Sequence, residues 1–250
     1  MREKMTEFVI ELADCPIGVS AIYESTRTFC GEYLSGKAPV FSVALTPEDL
    51  DREQAASDRE DKLEGRKPRS HSREYLETIA LQRRIAEGLA AWDTLLFHGS
   101  AVAVDGECYL FTAKSGTGKS THTRLWRELL GERAVMVNDD KPFLRIGQGS
   151  VTAFGTPWNG KHHLGANIAV PLKAICLLER GSENRITRLE PRAVLPILLQ
   201  QSHRPADPRL LGTYLDLLDG LAGSAAFYRL QCNMDPQAAD VSYGVLSGNV

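Results

Sequence analysis

Two short stretches of the chain hold residues whose types and spacing can do chemistry on a phosphorylated compound. The first is Ser115-Gly116-Thr117-Gly118-Lys119-Ser120-Thr121, preceded by Ala113-Lys114. Gly116 and Gly118 lack the Cβ atoms that would keep backbone N–H groups from closing round an anion. A helix starting here adds its partial positive charge to the same spot. Lys119 has the reach to touch the outer phosphates of a nucleoside triphosphate, and the Ser120 hydroxyl can join the coordination of a magnesium ion that bridges them. The second stretch, Asn138-Asp139-Asp140, brings two adjacent carboxylates, enough to serve a metal and a proton. Ala113 stands where the usual phosphate-loop pattern opens with glycine, so the tight curvature falls to Gly116 and Gly118.

These groups need elements that aim them. Residues 108–112 read as an apolar strand and residues 121–130 as an amphipathic helix, so the glycine loop stands in the strand, loop, helix order that a phosphate site requires. Residues 134–137 read as a buried strand that delivers the acidic pair at its carboxyl end. Upstream, residues 95–104 and 107–112 are expected to pair as a hairpin through Asp105-Gly106, a favoured tight-turn dipeptide. His98 lies on that hairpin, with its imidazole either aimed at the phosphates or buried in the sheet; spacing leaves both open. Beyond Asp140, residues 143–146 and 151–154 form a further hairpin. Residues 155–163 then make a polar, glycine-bearing loop, too rich in donors for a core segment. Trp158, Lys161 and His163 are its candidates for contacts with the substrates, against the alternative of an exposed connection. His162 and His163 make a poor metal site, since adjacent side chains diverge and no third ligand is apparent. Strands are expected over residues 172–178, 185–189 and 225–230. Helices are expected over residues 193–201, from Asp207-Pro208 to Leu221, and after Asp235-Pro236.

The amino-terminal part has a different texture. Residues 8–12, 18–23 and 40–45 are short β-prone runs, and residues 48–69 are densely charged with both signs, as a docking surface or a solvated helix and linker would be. Tyr75, Leu76, Ile79, Ala80, Ile85, Ala86, Leu89 and Ala90 recur at helical spacing over residues 73–92. The expected organisation is a small β-rich region with a charged linker over residues 1–72 and an α/β core built round the glycine loop over residues 73–250. A net charge of −3 and a pI near 6.1 argue against a general nucleic-acid binder. No apolar run approaches a membrane span, and residues 1–4 do not lead into a signal segment, so neither a membrane nor a nucleic-acid partner is expected and the location is expected to be cytoplasmic. Five cysteines without CxxC pairing read as buried reduced thiols.

His98-Gly99, the hairpin, Ser115 to Ser120, Asn138-Asp139-Asp140 and the strand at residues 170–179 together resemble the catalytic core of the HPr kinase/phosphorylase family, which shares its nucleotide-binding architecture with phosphoenolpyruvate carboxykinases. The resemblance covers roughly residues 95–180. It implies a mixed sheet with the phosphate loop and the acidic pair at its edge, and ATP or GTP with Mg2+ as cofactors. It implies phosphate contacts from residues 115–121, metal held by Ser120 and Asp140, and catalysis by Asp139, His98 and Lys119. Asp139 would take the acceptor's proton, with His98 nearby to orient it. Thr121 follows the loop serine where the bifunctional enzymes have glutamate, and the carboxy-terminal part shows no counterpart of the signature linked to phosphorolysis. The chain is therefore most similar to a stand-alone, compact serine kinase acting on a protein or peptide. Such relatives include the kinases that modify the precursors of peptide natural products such as lasso peptides. Two other classes share the same loop: a nucleotide-binding regulatory module without transfer, and a small-molecule phosphotransferase of the carboxykinase type. The possibility of a homo-oligomer is left open.

Overall fold

The structure is a computed structural model that describes residues 5–63 and 65–248; the expectation for residues 1–4 lies outside them. The chain divides into two compact units, Met1–Gly88 and Leu89–Val250.

In the first unit, β1 (Thr6–Leu12) and β2 (Cys15–Ala21) form an antiparallel hairpin, and β3 (Phe41–Ala44) pairs with β2 in parallel. The hairpin turns on two residues, Ala13 and Asp14, both with positive φ, the conformation that matches the right-handed twist of the flanking strands. Three helices complete the unit: α1 (Glu24–Phe29), α2 (Pro47–Leu63) and α3 (Arg73–Leu89). The boundary between units falls after α3, one helix later than the sequence-based division at residue 72. A physical reason is the fully buried carboxylate of Glu77 on α3, which accepts the N–H groups of Ile22 (2.5 Å) and Tyr23 (3.1 Å) and the hydroxyl of Thr26. A buried carboxylate with three donors is costly to expose and costly to strip of any one of them, so α3 is tied to the end of β2.

The charged stretch is the helix α2 followed by a returning segment. Asp61, buried near the end of α2, accepts from Arg66 Nε (3.0 Å), from Arg69 Nη2 (3.1 Å) and from the Arg69 backbone N–H (3.2 Å). Asp61 is thus paired with both Arg66 and Arg69 within the stretch.

The second unit holds a mixed sheet and four helices among the described residues. Its strands are β4 (Thr94–Leu96), β5 (Ser100–Val104), β6 (Glu107–Thr112), β7 (Ala134–Asn138), β8 (Phe143–Ile146), β9 (Val151–Phe154), β10 (Ala169–Arg180), β11 (Arg185–Arg188) and β12 (Ala226–Cys232). The order is β4-β8-β9-β10-β6-β5-β7, with β12 also paired to β10 and β11 to β12. The long strand β10 makes this branching possible. Its first residues pair antiparallel with β9, and its remainder lies parallel to β6 on one side and β12 on the other. β7, which delivers the acidic pair, is an edge strand, whereas β6, which enters the glycine loop, is an interior strand two places in.

Period-two alternation sorts the sheet's side chains onto two faces. Ala101, Ala103, Cys108, Leu110 and Ile175 pack with Val194 and Leu198 of α5 (Pro191–Gln201) and with Tyr214, Leu217, Leu218 and Leu221 of α6 (Leu211–Ser224). Val102, Val104, Tyr109, Phe111 and Cys176 pack with Leu125 and Trp126 of α4 (Lys119–Leu130) and with Ala238, Ala239 and Leu246 of α7 (Gln237–Ser247). Trp126 is the largest fully buried side chain, and truncating it to alanine would cost about 3–5 kcal/mol, a large part of the stability of an ordinary domain.

One element departs from expectation. Residues 95–104 are two strands: β4 pairs with β8, while β5 pairs with β6 and β7. At the break, the Phe97 N–H donates to the Pro142 carbonyl (3.0 Å), the His98 N–H to the Gln201 carbonyl (2.7 Å) and the Gly99 N–H to the Asp140 carbonyl (3.0 Å). A Cβ on Gly99 would lie 2.6 Å from Leu110 Cδ2 and 3.0 Å from the Phe111 carbonyl oxygen, so the close crossing requires glycine. The expected Asp105-Gly106 turn is present, with both residues at positive φ.

A prediction concerns Asp61. Its hydrogen bonds from Arg69 and Arg66 outweigh the upward push of burial and hold its carboxyl at about 2. A depressed folded-state value gives stability that is complete above the ordinary aspartate range near 4 and is lost as pH falls towards 2. Asp61→Asn should therefore lower the urea midpoint relative to the parent at pH 7, and the gap should narrow at pH 3. A gap that widens on acidification would contradict this assignment.

Candidate functional site

The glycine loop read above as a phosphate site leaves β6 at Thr112 and enters α4 at Lys119. Its first bend is closed by the Thr117 N–H donating to the Lys114 carbonyl (3.2 Å), with Gly116 at φ +75° in the third position, where a type II turn needs positive φ. Gly118, at φ +124°, caps α4, and the first helical bond follows from the His122 N–H to its carbonyl (2.9 Å). A Cβ on either glycine would meet nothing within 4 Å, so both are required by backbone conformation and not by lack of space. Lys114, Ser115 and Gly116 are exposed, and Thr117, Gly118, Ser120 and Thr121 partly so, which leaves this rim open to a ligand. Lys119 is buried, with Nζ 3.3 Å from the Ala113 carbonyl oxygen, curled back across the loop it belongs to. Burial pushes its ammonium below the ordinary lysine range, while Asp140 and Asp139 push it back up.

The helix behind the loop is fixed by a small polar cluster in an otherwise apolar face. Ser242 of α7 accepts from Trp126 Nε1 (2.8 Å), and its hydroxyl lies 3.0 Å from His122 Nε2. Burial pushes His122 down to about 4, so it is neutral near pH 7 and has a packing role.

The two aspartates differ in surroundings. Asp139 is 5% exposed, and its Oδ1 accepts from the Ser100 hydroxyl at 2.6 Å. Ser100 Oγ is also 3.0 Å from Thr123 Oγ1, which in turn lies 3.3 Å from the Lys119 carbonyl oxygen. A continuous chain of polar contacts thus runs from the acidic pair through β5 into the first turn of α4. The Asp140 side chain is 36% exposed, and its Oδ1 is 3.4 Å from His98 Nε2. Burial, followed by the nearby cations of Lys141 and Lys119, brings His98 down to about 3, so a neutral imidazole faces Asp140. Burial also raises the Asp140 carboxyl, with Lys141 and Lys119 opposing. The structure therefore places His98 against Asp140, not beside Asp139 as the resemblance implied. Its main chain is pinned to β6 by the Thr112 hydroxyl, which donates to the His98 carbonyl at 2.8 Å.

Asn138 ties this corner to the loop that follows β9. Its Nδ2 faces Thr156 Oγ1 (2.9 Å) and Asn159 Oδ1 (2.7 Å), and its Oδ1 accepts the backbone N–H groups of Asp140 (2.8 Å) and Lys141 (2.6 Å). The loop then crosses the acidic pair. At Gly160, φ +68°, a Cβ would lie 3.4 Å from Asp140 Cβ and 3.9 Å from Asp139 Oδ2. The reading of residues 155–163 as too rich in donors for a core segment is corrected for the first half, because Thr156 and Trp158 are buried. Trp158 belongs to the packed base of the loop, and Lys161, His162 and His163 form its exposed tip. Sequence reasoning missed Ser100 and Thr123 as site residues. The available signal was spacing: Ser100 stands two residues from His98, and Thr123 one helical turn from Lys119.

No family profile matches the chain, and no curated protein is significantly similar to it. Among solved structures, the Hpr(Ser) kinase/phosphatase from Coxiella burnetii is similar at 10% sequence identity and a TM-score of 0.36, over 62% of this chain and 95% of that one.

Proposed function

We propose that the protein transfers a phosphoryl group from a nucleoside triphosphate, ATP or GTP, to the hydroxyl of a serine on a protein or peptide. The observation that carries this reading is the Ser100 bridge. It joins Asp139 to Thr123 and Lys119 of α4, so that a phosphate-holding loop and a fixed carboxylate form one hydrogen-bonded unit. A module that only bound nucleotide would need one carboxylate for its metal; a second one, buried and oriented, favours catalysis.

The residues suit Mg2+ carried on phosphates. Among the described residues no group of three or more His, Cys, Asp and Glu could hold a metal ion. The Ser120 hydroxyl and the accessible Asp140 carboxylate would supply two oxygens, leaving the remaining positions to phosphate and water, as this ion favours. When bound, it would neutralise charge on the outer phosphates. Backbone N–H groups of residues 115–120 and the Lys119 ammonium would cradle those phosphates, with Lys119 leaving the Ala113 carbonyl to do so. The acceptor hydroxyl would approach beneath the tip formed by Lys161 and His163. As its oxygen bonds to the γ-phosphorus, the bond from that phosphorus to the bridging oxygen breaks, the hydroxyl proton passes to Asp139, and the nucleoside diphosphate departs. His98, neutral and against Asp140, would hold that carboxylate in place.

Incubation of the protein with labelled ATP or GTP, Mg2+ and extract should label a serine; binding of nucleotide with neither transfer nor hydrolysis would favour the regulatory module. Lys119→Ala should lower kcat/KM by about 100-fold or more while leaving the melting temperature of the ligand-free protein nearly unchanged. Ser100→Ala should lower kcat about tenfold with nucleotide affinity within about twofold of the parent, and Ser100→Thr should recover much of the loss. Full activity in Asp139→Asn and Asp140→Asn would remove the mechanism.

The reaction is expected to run as a kinase. Phosphorolysis must position inorganic phosphate against a phosphoserine, which calls for groups beyond those that hold a triphosphate. Phosphorylated product mixed with the protein, Mg2+ and excess phosphate should release no pyrophosphate, and rapid release would show the direction to be wrong.

A further inference from the structure

Arg180 is the last residue of β10, and its guanidinium reaches the phosphate loop: Nη2 donates to the Gly116 carbonyl at 2.7 Å. We infer that Arg180 is a positioning residue that sets the shape of this loop for phosphate. The inference rests on the reading of residues 113–120 as a nucleotide phosphate site.

Backbone pairing fixes where this arginine starts. β10 runs parallel to β6 with Leu177 opposite Thr112 at the end of their ladder, while on its other side it continues against β12 as far as Arg180 opposite Cys232. The Gly181 N–H closes that ladder on the Cys232 carbonyl (2.9 Å). β12 therefore carries Arg180 three residues past the point where β6 turns away, level with the loop. The neighbouring carboxylate, Glu179, is engaged by Arg229 Nε at 3.1 Å.

The contact falls where the loop has least support of its own. Gly116 is exposed, at φ +75°, with nothing within 4 Å of the place a Cβ would take. Ahead of Gly118 the hydrogen bonds described above run between the loop's own residues, from Thr117 to Lys114 and from Lys119 to Ala113. Arg180 connects it to a second strand. In a trans peptide the Gly116 carbonyl and the Thr117 N–H point in opposite directions, so a donor that holds the carbonyl outward also keeps the Thr117 N–H on the Lys114 carbonyl and preserves the turn that shapes the loop. Glycine has the widest conformational freedom of any residue, and its ordering is the part of loop formation that a ligand would otherwise have to drive. The guanidinium is always charged and adds a positive potential beside the phosphates without occupying their place.

The test is a titration of the full chain with a fluorescent ATP analogue and Mg2+, with adenosine as a second ligand. Arg180→Ala should weaken the triphosphate about tenfold, leave adenosine affinity within about twofold, and leave the ligand-free melting temperature unchanged. Arg180→Lys, which keeps the charge and one donor, should recover part of the loss, and Arg180→Gln less of it. Parent-like triphosphate affinity in Arg180→Ala, or an equal loss for adenosine, overturns the role of Arg180 while the phosphate-loop reading stands. A parent chain that binds no nucleotide overturns both. Should the alanine variant fold poorly, the order of lysine above glutamine decides the matter, and equal binding by those two overturns the inference.

Discussion

Asp139 is nearly removed from water, and a carboxylate in that position must be given a donor that cannot drift. The Ser100 hydroxyl is that donor, and much of the second unit can be read as the means of keeping it in place. Ser100 opens β5, which lies between β6 and β7, so the strand leading to the glycine loop and the strand leading to the acidic pair are held to one common neighbour. The strand can begin there only because the chain breaks at residues 97–99, and the break requires the bare α-carbon of Gly99 against Leu110 and Phe111. One buried hydrogen bond thus depends on a glycine, a strand break and the order of three strands.

The sheet's branching serves the same corner. A strand that pairs antiparallel with β9 at one end and parallel with β6 and β12 at the other brings two otherwise separate ladders together along β10. Helices α5 and α6 cover one face and α4 and α7 the other, so α4, which starts at the loop, is packed along most of its length. Rigid backing of this kind is what a positioning mechanism needs, because misplacement by about 1 Å can cost two orders of magnitude in rate.

Much of this was legible in the residues, and what was not has definite physical causes. The strand, glycine loop and helix, the Asp105-Gly106 turn, and the strands at 134–137, 143–146 and 151–154 are encoded locally, by periodicity and turn chemistry, and appear where expected. The α/β class followed from them, while the mixed sheet was what the family resemblance implied. The break inside residues 95–104 was hidden because both halves are apolar and β-prone; only the distant carbonyls of Asp140, Pro142 and Gln201 decide it. The buried base of the loop at residues 155–158 was likewise invisible. Its polar atoms are satisfied by Asn138 and by the Lys141 carbonyl, and a sequence that lists donors does not say who accepts from them. The grouping of α3 with the first unit turned on Glu77, whose helical spacing marks it as nothing special.

The segment from Gly155 to Ile168 has its two ends fastened to each other: the Gly155 N–H donates to the Ile168 carbonyl at 3.0 Å, and a Cβ on Gly155 would strike the Ala166 carbonyl oxygen. The loop closed at this neck is also tied to β7 at its base, where the Ala166 N–H donates to the Val137 carbonyl at 3.3 Å and Asn138 bonds Thr156 and Asn159. Its tip at Lys161, His162 and His163 stands exposed beyond that anchored base, so chain added there would cost roughly 0.6 kcal/mol of closure entropy per doubling of length.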